Sequence, residues 1–487
     1  MEIDDGYKYH LSSKRKVQLM RRLMLATLMI LAWNTESYAQ TIRYVNNLLT
    51  SGANDGTTAA DAWRSLEYAR AGLAGQTVDM VVFTAGSGPY QEVFSTRSTA
   101  YKTDLSFAAS DRSLNSVGTN LSSFSFAAGD IVRVKGSASN DRQFQIATVA
   151  ASKITFIASN TVTDEAAGAS IKVSSLNTGS NLAALDPGSN GTVTRPRRWM
   201  FNGVEIDGSV TLNAANGYTW TQSSGNASEW YVKRSDGSNP SLLQVFGGTM
   251  DGEFVDDSAD LSLDMGTVGA LTTLSPWGWG DNDSIGYSTL YVMSTVDPGL
   301  RVIKAAQVLA GIKTTWQYHS FEDGIISHIN RDSGDSVGGA GIWNASGTQW
   351  WAKRMLVRWT IMNGFRSASS SLTRVDSSVT YFAGHRGHYV SGDSTHMVHN
   401  CLDYGSHLFG LIGASVTSAG SLTIYNSVSV FNEAGAIDKK SATAVLDEGY
   451  NVWYPRFGAA GAALGYVSTA NWTTTAATDY PPSAATT

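Results

Sequence analysis

The chain has 487 residues, a formal net charge of −6 and only 16% charged side chains. That balance offers no basic surface for nucleic acid, and a lone cysteine, Cys401, excludes an internal disulfide framework and a zinc–thiolate site within one chain. The 48 glycines, with plentiful Ser, Thr and Asn, suit a β-rich, turn-rich protein long enough for two or three domains.

Residues 1–39 read as an export signal. Lys14, Arg15, Lys16, Arg21 and Arg22 form a basic region, Leu23 to Trp33 an apolar run, and Ser37 to Ala39 a small-residue cleavage site before Gln40. The apolar run is shorter than the roughly 20 residues that span a bilayer, and no later stretch is long and apolar enough. The expectation is a secreted or cell-surface protein without a membrane span once the signal is removed.

Residues 40–103 read as an N-terminal cap. Ile42 to Val45 is an apolar strand, and Ala62, Leu66 and Ala69 mark one face of a short helix over Ala62 to Ala71. A strand, a Gly-Pro turn and another strand follow. Residues 104–173 differ: Ile131, Val132 and Val134, then Phe144, Ile146 and Val149, then Ile154, Phe156 and Ile157 sit in short alternating strands with tight turns. They are expected to form an inserted small β-barrel.

Residues 174–470 are a succession of short strands without helical periodicity. Ser228 to Val245 resembles Ser288 to Ala305 in its aromatic-Tyr-Val strand, polar turn with Pro and second strand. A looser repeat ends at Asn330, Asn363, Asn400, Asn426 and Asn451. The last two steps, 26 and 25 residues, fit one coil of a β-solenoid; the first two, 33 and 37, imply coils with loop insertions on one face. Residues 471–487, rich in Ala, Thr and Pro, are expected to be a poorly ordered tail.

Three short stretches carry a family resemblance: Gly52 to Thr57 (GANDGT), Ala62 to Leu66 (AWRSL) and Gly88 to Tyr90 (GPY). Together they resemble the N-terminal cap of right-handed parallel β-helix proteins of the pectate-lyase-like kind. Gly129 to Asp141 resembles a small β module of phage tail and structural proteins. The resemblance implies an all-β, right-handed parallel β-helix with an inserted small β-barrel. It further implies a polysaccharide partner, because such proteins mostly bind or cleave acidic or complex polysaccharides. Tailspike-like members work as trimers, so a monomer and a homotrimer both remain open.

Seven of the eight histidines lie between His319 and His407. Glu322 and Asp323, with Asp332 and Asp335, offer carboxylates for acid–base work, since glycoside hydrolysis needs two, one protonated and one ionised. The same Glu-Asp-Gly also suits a turn in which Gly324 supplies a positive φ. Ala383 to Asn400 brings His385, Arg386, His388, Tyr389, Asp393, His396 and His399. Arg, His and Tyr suit β-elimination, which needs a cation beside a uronate carboxylate, a base and an acid. Asp323, His328, Arg386 and His388 are the catalytic candidates, expected to share a groove. Trp343, Trp351, Tyr389 and His399 are the substrate-binding candidates. One or two of Trp316, Trp343, Trp350, Trp351 and Trp359 are expected to be exposed. The odd spacing of His396 and His399 puts them on opposite faces of a strand, so no transition-metal site is assigned. Calcium on Asp281 and Asp283 is left as a possible cofactor. The reading is a polysaccharide-active enzyme, lyase ahead of hydrolase. The rival is a non-catalytic glycan-binding or tailspike-like protein.

Overall fold

In the computed structural model, the described residues are most of those from 40 to 455, with Tyr466–Val467. The longest stretches outside the description are 1–39, 234–244, 248–276, 281–288, 330–338, 456–465 and 468–487. The expected export signal and the expected poorly ordered tail fall outside it.

The protein is an all-β parallel β-helix built on three parallel sheets. Sheet A runs Ile42–Val45, Met80–Phe83, Arg197–Met200, His319–Glu322, Gln349–Lys353, Leu372–Asp376, Thr395–His399, Ser421–Tyr425 and Val445–Gly449. Sheet B runs Glu205–Asp207, Ile325–Ile329, Leu356–Thr360, Val379–Ala383, Leu402–Tyr404, Val428–Asn432 and Val452–Pro455. Sheet C runs Ala183–Leu185, Ala310–Thr314, Ala340–Asn344, Asn363–Ser367, Arg386–Val390 and Phe409–Gly413. From His319 to Asn432 the chain visits A, B and C in turn, so strands pair with their counterparts in the next coil. Backbone groups are then satisfied along the solenoid rather than within one coil.

The corner between sheets A and B is a one-residue device. Asn202, Asp323, Arg354, Ser377, Asn400, Asn426 and Tyr450 all sit there in the left-handed region, with φ from 50° to 59°. Asn and Asp tolerate that region best. The turn at Glu322–Gly324 therefore differs from the expectation: the positive φ falls on Asp323. Gly324 is needed for space, since a Cβ there would lie 2.8 Å from the Phe201 ring and 2.9 Å from Met355 Cε.

The Asn repeat is also corrected. Asn400 and Asn426 occupy the A–B corner, but Asn363 opens a strand of sheet C, and Asn330 lies outside the described residues. The step of 37 residues, from Asn363 to Asn400, thus compares different corners. Trp350 pairs with Thr373 and Thr373 with His396, and Met355 N meets Ser378 Oγ 23 residues on. These coils carry no long insertion; the longer one runs from His319 to Trp350.

The core sits inside the sheets. Sheet A contributes Phe321, Ala352, Val375, Val398 and Ile424, sheet B Ile326 and Val357, and sheet C Ile312, Ile342 and Phe365. Sheets B and C approach closely at a column of glycines. A Cβ on Gly311 would lie 2.2 Å from Ile326 Cγ2, and one on Gly341 2.1 Å from Val357 Cγ1. The helix spans Leu66–Leu73 rather than starting at Ala62, because Ser65 caps it by accepting from Tyr68 N, and Trp63 forms a parallel bridge to Val45.

Two parts depart from the solenoid. Between 104 and 175 six strands form one antiparallel sheet with its own core, including Phe107, Leu114, Val132, Phe144, Ile154 and Phe156. Strand pairing between Ser209 and Ala306 is antiparallel as well, where a continuous parallel helix was expected over 174–470. The two similar stretches explain it. They pair with each other, Tyr231 opposite Tyr291 and Val245 opposite Ala305. Two like copies satisfy each other's backbones side by side, without a solenoid coil between them.

Candidate functional site

Strand Glu205–Asp207 is where the chain leaves sheet B for the antiparallel excursion, and Ile303–Ala306 brings it back. Asp207 is fully buried there. Its carboxylate accepts from Lys304 Nζ (2.7 Å), Gln91 Nε2 (3.0 Å), Ser209 N (3.0 Å) and Ser209 Oγ (2.6 Å). His328 Nδ1 lies 2.9 Å from Asp207 Oδ1. Burial alone would raise this carboxyl; the bond from His328 and the charge and bond of Lys304 outweigh it and hold Asp207 well below the usual carboxylate range. Burial pushes His328 below its ordinary value, against the pull of Asp207. At neutral pH an ionised acceptor thus faces a neutral imidazole. Nδ1 must carry the proton and donate it, which leaves the lone pair on Nε2.

Glu205, two residues earlier, lies on the same face of the strand. It accepts from Ser327 Oγ and from Arg358 at 3.0 Å. The Arg358 guanidinium sits 4.3 Å from the Trp359 ring centroid, and Trp359 stacks on His328 at 5.1 Å. His328, Trp359 and Phe382 occupy equivalent left-handed positions in successive coils, with φ of 58°, 55° and 50°. The neighbouring outward column reads Arg358, Tyr381, Tyr404, the two tyrosines stacked at 5.2 Å. One basic imidazole, two cations and a row of rings therefore lie on the outer side of sheet B. Of this cluster the sequence reading named only His328 as catalytic. Asp207, Glu205 and Lys304 lie too far away in the chain to be associated with it by spacing.

The other candidates are dispersed. Asp323 stands at the A–B corner in a two-pronged pair with Arg354, at 2.5 and 2.8 Å. Neighbouring Glu322 is buried and takes both arms of Arg198 at 2.9 Å. Burial would raise Glu322, but Arg198 and Ser320 outweigh it and lower it. Asp332 and Asp335 lie outside the described residues. Arg386 is buried on sheet C against His385 and the Tyr389 ring. His388 lies inside the solenoid, because its register puts it in the column of Ile312, Ile342 and Phe365. Asp323, His328, Arg386 and His388 thus do not share a groove.

Trp343 is sandwiched on sheet C between Lys313 and Arg366, each 4.3 Å from its ring centroid. Tyr389 is buried in the same column beside Arg366. Trp351 and His399 are on sheet A instead, both half-buried; His399 meets Tyr425 edge-on at 6.1 Å. Among the five tryptophans Trp350 is buried and Trp316, Trp343, Trp351 and Trp359 are half-buried, so none is exposed as expected. His396 faces inward and His399 outward, as their spacing requires. Among the described residues no three His, Cys, Asp or Glu side chains gather as a metal site. Asp281 and Asp283, the calcium candidates, lie outside the described residues.

No family model matches the chain, and no curated protein matches it. Among solved structures it is similar to one described as the complex structure of XylC with xylose, at 11% identity and a TM-score of 0.35. The similarity covers 56% of this chain and 59% of that one. The chain thus spans less than two thirds of that protein, and a likeness of this extent says nothing about what the chain binds.

Proposed function

We propose that the protein is an exported, polysaccharide-active β-helix that cleaves an acidic polysaccharide by β-elimination. The observation that carries this reading is the imidazole of His328, oriented by Asp207 and set among Lys304, Arg358 and Trp359 on the outer side of sheet B. β-Elimination of a uronate needs a base for the proton beside the carboxylate and positive charge to stabilise the anion that forms. A neutral His328 with its lone pair on Nε2 is such a base, Lys304 and Arg358 are the cations, and the aromatic row gives sugar rings a flat apolar surface. Paired-carboxylate hydrolysis needs one carboxyl that keeps its proton. Asp207, Glu322 and Asp376 are each held below the usual range by bonds that outweigh burial, so none of these three does so at neutral pH, and Glu92, which burial raises, is bonded to Leu66 N and Glu67 N at the helix start.

A second reading, a glycan-binding surface protein without turnover, is favoured by the 5% exposure of His328. Purified protein beginning at Gln40, screened on acidic and neutral polysaccharides, separates the two. Elimination gives new reducing ends together with the ultraviolet absorbance of unsaturated uronate ends. Reducing ends without that absorbance would mean hydrolysis. Retention on a polysaccharide gel with neither signal would leave binding alone. Sedimentation of the same sample distinguishes a monomer from a homotrimer.

A further inference from the structure

The interior of the solenoid changes character along its length. On sheet C the inward column reads Ile312, Ile342, Phe365, His388. On sheet A it reads His319, Trp350, Thr373, His396. Two imidazoles meet across this interior: His388 Nδ1 lies 3.2 Å from His396 Nε2, and His396 Nδ1 lies 2.6 Å from Ser367 Oγ. His396 and Ser367 are 0% exposed and His388 1%. His388 Nε2 is buried without a hydrogen-bond partner, and Phe365 stacks on the ring at 5.0 Å.

Only one proton fits between the two rings. Either Ser367 donates to His396 Nδ1 and His396 Nε2 donates to His388, or both bonds run the other way. Each arrangement keeps both rings neutral. An added proton would make a cation in a sealed space, and a second would turn the two facing nitrogens into competing donors.

Charged and titratable groups around the two rings are few. Thr373 and Leu422 flank His396 in its sheet, and Phe365 flanks His388 in its own. From sheet B, Thr380 and Asp403 are buried in the same coils, and Asp403 accepts from Ser406 Oγ at 2.9 Å. The Cys401 thiol is pushed by burial to about 12 and stays neutral. On the two strands themselves, Arg386 is turned to the Tyr389 ring and His399 to Tyr425. Burial pushes His396 down to about 3. Burial, then the charge of His396, pushes His388 well below 6.5. No carboxylate is among the causes for either ring.

We propose that the buried chain Ser367–His396–His388 is an acid-operated lock, which ties sheet A to sheet C between Asn363 and His399 and lets go when the medium turns acidic. The folded values lie below the unfolded value of 6.5, so the unfolded chain binds protons that the folded chain refuses. The lock's contribution is complete above pH 6.5 and is lost progressively as pH falls toward 3.

The test uses the full protein. Mass-spectrometric exchange of histidine C2 hydrogens across pH reads each imidazole in the wild type, and His388 and His396 are expected to stay neutral well below pH 6.5. Melting temperature is then compared at about pH 7.5 and about pH 4.5 for wild type and for His388→Leu/His396→Leu/Ser367→Ala. The acid-induced drop should shrink by about half or more in the triple variant, and pepsin should cut the acidified wild type first between 363 and 399. His319→Leu, which alters a separate buried imidazole beside Trp199, should leave that cleavage site unchanged. An equal drop in wild type and triple variant, or ordinary titration of both histidines in the folded protein, would overturn the proposal. If the triple variant does not fold at neutral pH, the exchange measurement and the pepsin map of the wild type decide alone.

Discussion

Asp207→Asn keeps the shape of the hub on sheet B and removes its charge. The carboxylate is fully buried, and Lys304 Nζ, 2.7 Å away, is its cation. Breaking a buried pair from one side costs about 3–5 kcal/mol, because the other charge is stranded. The Lys304 side chain retains 23% of its exposure, so it can regain some solvation. The expected cost is therefore at the low end, about 3 kcal/mol. Lys304→Met should cost more than that in the wild type, because it strands the fully buried Asp207 carboxylate, and should give back part of the loss in the Asp207→Asn background, since no stranded cation remains. Urea denaturation followed by tryptophan fluorescence measures all four corners of this cycle. The contribution has a sign in pH as well. Because the folded value of Asp207 lies below 3.8, its stabilisation is present above that pH and is lost as pH falls through the folded value. Asp207→Asn within about 1 kcal/mol of wild type, or Lys304→Met deepening its loss, would refute the view that this charge is held by a buried pair.

Gly341→Ala places a Cβ 2.1 Å from Val357 Cγ1 and should destabilise by about 1–3 kcal/mol, with the loss reduced when Val357→Ala is added. Joining Thr103 to Ser174 removes the antiparallel sheet with its separate core and should leave a soluble protein that melts cooperatively in calorimetry; aggregation would make the insert part of the solenoid core. On a validated substrate, His328→Ala should lower turnover about 100-fold or more. Asp323→Asn, which loses only the corner pair with Arg354, should leave turnover unchanged.

The parts of the fold that were legible are those fixed by local chemistry. In the cap, Gly56 and Gly72 both press on Trp63, and a Cβ on either would lie within 2.7 Å of its ring atoms. Such a constraint appears in sequence as Gly and Trp at set distances. Ser65 at the helix start is equally local. Pairing partners are not local. The likeness of Ser228–Val245 to Ser288–Ala305 was visible, but nothing in either copy says that Tyr231 will face Tyr291 rather than stack one coil away. The Asn spacing failed for a related reason. Asn400 and Asn363 serve different corners, and a spacing is meaningful only between residues at the same corner.

The site was harder to read because strand parity does not say which face is inside. Alternation puts His388 and Arg386 on one side and Tyr389 on the other, yet all three are buried. Parity is also reset within each coil. His328, Trp359 and Phe382 have left-handed φ, so each breaks the alternation that the preceding residues of its strand set up. His328 therefore lies beside outward-facing Arg358 and Trp359, while His388, in equally polar sequence, points into the solenoid. The two histidines differ in what meets them. His328 has a buried carboxylate at 2.9 Å to fix its tautomer, whereas His388 has only another imidazole and a phenyl ring. An anion makes an imidazole a directed base; its absence makes one an acid-sensitive piece of core. That distinction rests on Asp207, which lies 121 residues before His328 and reaches it only because the solenoid brings one coil beside the next.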